Sequence, residues 1–575
     1  MKIINIIIKN TVVWLILSAV ALFTISCSEN LSDLNISPNE LSDKDVDIKF
    51  VLTNIITKSS KIHVGLVYNG GDIPAATQYL QRDMTSYEEN NYVWGTEGFG
   101  RYYEPIKDSE YIFGRAETEK EGAEKNYYQA VSLIMKSYWY GFMTSAFGDI
   151  PYSKAMQGEQ GGEEFFKPVY DAQEDVFKGV LEDLKTANEL LKTVTVCESA
   201  ISVDVMYHGD GLMWRKFANS LCLRFYLRLS DGAGISSIVG NANEYPLMED
   251  NTDNAVVDFL GSDRYNSWPG GPLNWSLRSE FYRRKPSSTI IDKLISLNDP
   301  RLTTWIRPVD VQILQGTGTK DEYVMENGFV KRYTINDIDA ANSDGDMENN
   351  ISTALYVGLA VALNSPDDYN LGGDADKAAI AALDADIYRL DASNPHLSYL
   401  ADIYAENSNA LVKSILMNCA EVDFILAEAS EYGWIGGNAY DYYTSGIEKS
   451  FRQYEIKDGV SLIYDANNYK HVIFNKAEYF ANAETIYNSA SDKLVPILDQ
   501  KWIALWMTPE SWFDWRRTGL PNLTKNIIAG TKGQNIPLRF PYDDPYNETN
   551  MLDAIEKLVP PENDQWSKMW LIKGH

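Results

Sequence analysis

The stretch Gln500 to Pro521, QKWIALWMTPESWFDWRRTGLP, constrains the fold most, because it sets four tryptophans and two helix boundaries in one short span. Trp502, Leu505 and Trp506 recur at three- and four-residue spacing, which predicts a helix with one face buried against its neighbours. Thr508 is placed to accept from the orphan amides of a second helix, Pro509 fits the first helical position, and Glu510 favours the positive helix end. Trp512, Phe513 and Trp515 follow, Arg516 and Arg517 close the last turn, and Gly519 with Pro521 stops it. Two consecutive buried helices are expected, with Trp502, Trp506 and Trp512 in the core.

Elsewhere the 3.6-residue period recurs. Helices are expected from Ile48 to about Gly65 and from Tyr127 to Phe147, and a capping-box start at Asp171 and Glu174 opens another that runs to Leu191. Trp214, Phe217, Leu221, Phe225 and Leu229 trace a further stripe, whose Arg215, Arg224 and Arg228 read as structural pairs. A short helix is expected at Thr289 to Leu297, and longer ones at Ala420 to Trp434 and Tyr440 to Tyr454. Glu421 and Glu428 lie on successive turns of one helix and do not face each other across a cleft, so they read as structural. Asp149 reads as a turn or cap residue, and Trp566 and Trp570 as pins for the terminus. Residues 308–400 are the least regular. Their acidic run 337–350 reads as a solvated loop in preference to a calcium site, because Gly345 does not fall where an EF-hand loop needs it.

The formal charge of −30 repels phosphate backbones and excludes nucleic acid as a partner. Four cysteines and five histidines show no metal-ligand spacing, and no Walker loop, nucleophile elbow or H-E-x-x-H is present. No metal, cofactor or catalytic residue is expected, and Cys197, Cys222 and Cys419 read as buried thiols. Residues 1–26, with Lys2, Lys9 and an apolar run from Val12 to Ile25, read as a secretory signal ending before Cys27. The polar segment 27–47 follows as a tether and 48–575 as a single domain.

Two segments are rich in aromatic residues yet lack helical or strand period. In residues 87–103, Tyr92, Trp94 and Tyr102 lie among Asn, Glu and Gly; in 260–284, Tyr265, Trp268 and Trp275 surround a Pro-Gly-Gly-Pro run. Both are expected to be loops, with Trp94 and Trp268 exposed and all six rings forming a stacking platform for a polar ligand such as a sugar. For each ring taken singly, core packing is the competing reading.

The Gln500–Pro521 motif resembles the C-terminal signature of the SusD/RagB family of outer-membrane nutrient-binding lipoproteins. LFTISC at 22–27 resembles a lipobox, SENLSDLNISPN the family's mature amino terminus, and FGDIPYS, DPRL, AEVDFILAEASEYGW and IPLRFPYDDPYNETN further family segments. The resemblance implies a mainly α fold: a large helical body of tetratricopeptide-like helix pairs with long irregular loops, although no 34-residue repeat period is visible here. It implies lipidation at Cys27 and a surface-exposed outer-membrane position, anchored by acyl chains. It further implies capture of a nutrient, an oligosaccharide in the first instance, and delivery to a SusC-like TonB-dependent transporter without catalysis. Two alternatives are a lipid-anchored glycoside hydrolase and a structural transporter subunit without ligand affinity. The family shares no ligand-contact motif, so the ligand residues rest on the two aromatic loops, and a peptide ligand stays open.

Overall fold

A computed structural model describes residues 46–69, 71–83, 88–275, 279–361, 363–372, 376–384, 394–523 and 535–572. The signal segment, Cys27 and the tether lie outside them. Contacts divide the chain into residues 1–51 and 52–575. The described part of the first unit, 46–51, holds the start of α1 (Ile48–Val64).

The larger unit is built from helices that pack in sequence order: α2 (Gly100–Glu119), α3 (Gly122–Phe147), α4 (Gln173–Leu191) and α5 (Gly211–Arg228), each on the next. From Tyr127 to Phe147 every residue of α3 except Lys136 is buried, as a helix apolar on all sides must be. Lys136 reaches Glu110 of α2 at 3.1 Å and Asp183 of α4 at 3.0 Å, so the one charge in that span is paired on both flanks. At Gly141 a Cβ would lie 2.2 Å from the Phe225 ring, so only glycine lets α5 seat this closely on α3. A second group, α6 (Cys419–Glu431), α7 (Ala439–Gln453) and α8 (Leu494–Ala504), packs mutually, and α6 joins it to α5. The fold is mainly α, and its sheets have two or three strands.

Helix ends depart from expectation in two places. Asp171 does not cap α4. Its carboxylate accepts from the Tyr152 and Ser153 amides at 2.9 and 2.8 Å, while Asp149 of the preceding loop accepts from the Gln173 amide at 2.9 Å. Loop and helix start therefore exchange carboxylates across a short pairing of Ile150–Pro151 with Tyr170–Asp171. Thr508 does not cap α9 (Glu510–Thr518) either. Its hydroxyl donates to the Leu505 carbonyl at 2.9 Å, satisfying the helix before it. Gly519 ends α9 at φ 72°, the left-handed stop its position implies. Residues 308–400 contain an unanticipated three-stranded sheet, in which Val311–Gln315 runs parallel and Glu322–Glu326 antiparallel to Phe329–Thr334. Trp570 is 43% exposed; Met569 and Ile572 are the buried residues there, with the Leu571 amide on Gln173 Oε1 at 2.8 Å.

Trp502, Trp506 and Trp512 of the Gln500–Pro521 stretch are core, while Trp515 is half-buried. Trp506 stacks on Trp305 with ring centroids 5.1 Å apart and donates to the Tyr404 hydroxyl at 2.9 Å; Trp502 donates to the Thr77 carbonyl and Trp512 to the Pro537 carbonyl. Beside them lies a buried ion network. Arg224 grips Glu421 through two contacts of 2.6 and 2.7 Å and approaches Glu510 at 3.5 Å, and Arg228 also binds Glu510. Lys501 meets Glu428 and Asp514 at 2.8 Å each, and Arg517 meets the same two at 2.5 and 3.1 Å. Burial alone would lower the Arg224 pKa, but Glu421 and Glu510 outweigh it and the net shift is upward; burial would raise Asp514, but Lys501 and Arg517 hold it below its ordinary value.

Trp506→Ala is expected to cost about 3 to 5 kcal/mol by chemical denaturation, through lost contacts and the cavity left behind. Glu428→Gln leaves two buried cations, Lys501 and Arg517, sharing the single carboxylate of Asp514, and a loss of about 3 to 5 kcal/mol is expected; unfolding midpoints equal to wild type would show the network to be dispensable.

Candidate functional site

The segment 87–103 does not offer the expected platform. Trp94 is only 7% exposed, packed on Trp512 at 5.4 Å and Phe540 at 5.0 Å. Tyr92 is buried edge-on to Trp566, with its carbonyl accepting from Gln565 at 2.7 Å, and Tyr102 is buried on α2 against Trp139 and Phe142. A loop needs no internal period to be buried: its packing partners come from a motif some 400 residues later, which local spacing cannot reveal.

The second segment divides. Trp268 is 2% exposed, contrary to expectation; it donates to the Tyr404 carbonyl at 3.0 Å and lies among Tyr68, Phe259 and Tyr404. Its amide donates to the Asn407 carbonyl at 2.8 Å, and the Leu273 amide to Asn407 Oδ1 at 2.9 Å. A Cβ on Gly270 would lie 2.5 Å from the Tyr404 carbonyl oxygen, and one on Gly271 2.6 Å from Asn407 Cα, so the paired glycines permit this docking. With the loop held down, Tyr265 projects from it, 67% exposed. Trp275 is half-buried, its indole donating to the Gly270 carbonyl at 2.7 Å with Phe281 beside it. Of the six expected rings, these two keep accessible surface.

Tyr265 is mounted on a self-bonded turn. Asn266 Oδ1 accepts from the Ser262 and Asp263 amides at 3.0 and 3.1 Å, and Asp263 accepts from the Tyr265 amide at 2.7 Å. Lys61 Nζ and the Arg264 guanidinium lie 4.9 and 5.2 Å from the ring centroid, and Leu260 and Leu273 are exposed on the same loop. The group combines an aromatic face with polar and charged donors, which suits a sugar's apolar face and its hydroxyls.

A feature missed from sequence is a cavity of about 680 Å³ lined by Asn336, Asp337, Asp344, Glu348, Asn349 and Asp368, among others. The acidic run lines it, but its carboxylates serve local turns: Asp337 accepts from the Ala340 amide at 3.0 Å, Asp344 from Asp346 at 2.7 Å and Glu348 from Asn364 at 2.5 Å. The density of Asp and Asn was the available signal. Among the described residues no group of three or more His, Cys, Asp or Glu is placed to hold a metal ion. Cys197, Cys222 and Cys419 are buried free thiols, and burial pushes Cys222 and Cys419 up to about 12, out of reach of thiolate chemistry at neutral pH. Glu421 and Glu428 are consumed by the ion network, so neither is available as an acid or base.

A family model described as starch-binding associating with outer membrane, SusD-like, matches residues 48–543. Among solved structures, a SusD homologue from Bacteroides fragilis aligns with TM-score 0.67 and 21% identity over 92% of this chain and 100% of its own. An outer-membrane protein from Bacteroides vulgatus, described in terms of nutrient binding, aligns at 0.65 with 23% identity over 92% and 100%. A chitin-binding protein aligns at 0.62 with 20% identity over 91% and 100%. A search of curated protein sequences found no match. With the family model covering most of the chain, and the helical pairs and buried signature motif in place, the chain belongs to the SusD-like family of starch-binding proteins that associate with the outer membrane.

Proposed function

We propose that this chain is a lipid-anchored, surface-exposed outer-membrane lipoprotein that binds an oligosaccharide without cleaving it and passes it to a SusC-like TonB-dependent transporter. The observation that carries the binding reading is Tyr265, a ring 67% exposed on a loop docked to a rigid helical body. Stacking on such a ring costs little conformational entropy, because its mount is ordered before ligand arrives. Two structural neighbours, one a chitin-binding protein and one described in terms of nutrient binding, support the same class of ligand. Engagement of Glu421 and Glu428 in ion pairs supports binding over hydrolysis for that pair. Among the described residues no helix is long and apolar enough to cross a membrane, and attachment is assigned to acyl chains on Cys27 after removal of 1–26.

Incubation of the purified protein with a glycan panel is expected to give binding without products; products would establish the hydrolase, and neither outcome the structural subunit. In calorimetry with the oligosaccharide so identified, Tyr265→Ala should weaken binding by about 1 to 3 kcal/mol with an unchanged melting temperature, and intact affinity would remove Tyr265 from the site. Cys27→Ser should leave the chain without acyl groups and outside the outer-membrane fraction; a mutant that still sediments acylated with membranes would overturn the anchor.

A further inference from the structure

The surroundings of Tyr265 are unusual for this molecule. The chain carries a formal charge of −30, yet two cations converge on this one exposed ring, Lys61 from α1 at 4.9 Å and Arg264 from the ring's own loop at 5.2 Å. Both lie so near one centroid that they are no more than about 10 Å apart. Neither forms an ion pair with a carboxylate among the described residues. The nearby acid, Asp263, is committed within the turn: Oδ1 accepts from the Tyr265 and Asn266 amides at 2.7 and 3.2 Å, and Oδ2 from Asn266 Nδ2 at 2.9 Å. Several partly exposed cations of this chain sit in ion pairs, as Lys58 with Glu104 and Lys413 with Asp258 do.

Two like charges held beside one ring repel each other, and the ring's quadrupole offsets only part of that. An anion between them removes the repulsion and adds charge-assisted hydrogen bonds, with the guanidinium able to engage a carboxylate or sulfate through two N–H groups. The Lys61 pKa is lowered chiefly by burial; the Asp263 carboxylate offsets part of that, and the repulsion from Arg264 adds a smaller lowering.

Resting on the binding reading above, we infer that the Lys61–Arg264–Tyr265 cluster selects an anionic glycan, with a uronate carboxylate or a sulfate ester held between the two cations while the sugar's apolar face lies on Tyr265 and the flanking Leu260. Because the net charge of the whole chain opposes any anion, such a preference has to arise locally.

The test is calorimetry on the full mature chain with three probes of matched length: oligogalacturonate, a sulfated oligosaccharide and neutral malto-oligosaccharide, at low and high salt. The expected result is tighter binding of at least one anionic probe than of the neutral one, with the margin shrinking as salt rises. Lys61→Gln and Arg264→Gln are each expected to cut the ratio of anionic to neutral affinity roughly fivefold, within the range of exposed charge pairs, and thermal melts confirm that both variants fold. The uronate and sulfate arms identify the group recognised. A neutral probe bound as tightly as both anionic ones, or a ratio unmoved in both variants, overturns the inference while leaving glycan binding intact. Absence of binding to all three probes overturns the inference together with the reading on which it rests.

Discussion

The body depends on a buried cluster of eight charges, Arg224, Arg228, Lys501 and Arg517 against Glu421, Glu428, Glu510 and Asp514. Charges taken out of water cost several kcal/mol each unless every one finds a partner. Four positive and four negative groups, drawn from α5, α6, α8 and α9, meet that condition only when these helices seat in one arrangement. Apolar helix faces tolerate sliding because contact between methyl groups is unspecific, whereas a guanidinium gripping a carboxylate through two contacts is not. The DPRL segment repeats the device on a smaller scale: Arg301 pairs with Asp299 at 2.6 Å and reaches Ser450 and Gln500.

A body held in this way has few soft elements, and the recognition surface proposed for it lies on loops. Those loops are themselves docked. The 260–275 segment is tied to Asn407 by backbone and side chain, and the paired glycines bring it into contact with the Tyr404–Asn407 chain. Trp268 acts as the plug beneath, and Tyr265, three residues earlier, is the part that meets solvent. One loop thus divides its rings between anchoring and presentation, the anchor ring making the presented one rigid.

Much of the helical architecture was legible from spacing. Trp502, Trp506 and Trp512 announced themselves as core because the 3.6-residue period is a local consequence of helix geometry. Gly519 announced a left-handed stop for a similar reason, since the backbone demand lies at that residue. Glu421 and Glu428 were recognisable as structural from their positions on one helix, although their partners Arg224, Lys501 and Arg517 were not. Caps were less legible: Asp171 and Asp149 each serve the other's element, and sequence proximity pointed to the wrong one.

The candidate site was legible only as a pair of aromatic segments. Absence of period showed correctly that 87–103 and 260–284 lack one continuous regular element, but it was silent on burial, because a ring in a loop is covered by whatever the tertiary fold lays over it. Trp94 is covered by Trp512 and Phe540, Trp268 by Tyr68 and Tyr404, and nothing near either ring in sequence encodes those partners. The sequence by itself therefore determined most of the helices, though not α2, together with their buried faces and the family signature, all set by short-range periodicity and residue type. Only the tertiary structure decided which aromatic rings reach solvent, which carboxylate meets which cation, and that Lys61 and Arg264 share Tyr265, because these depend on contacts between residues up to several hundred positions apart.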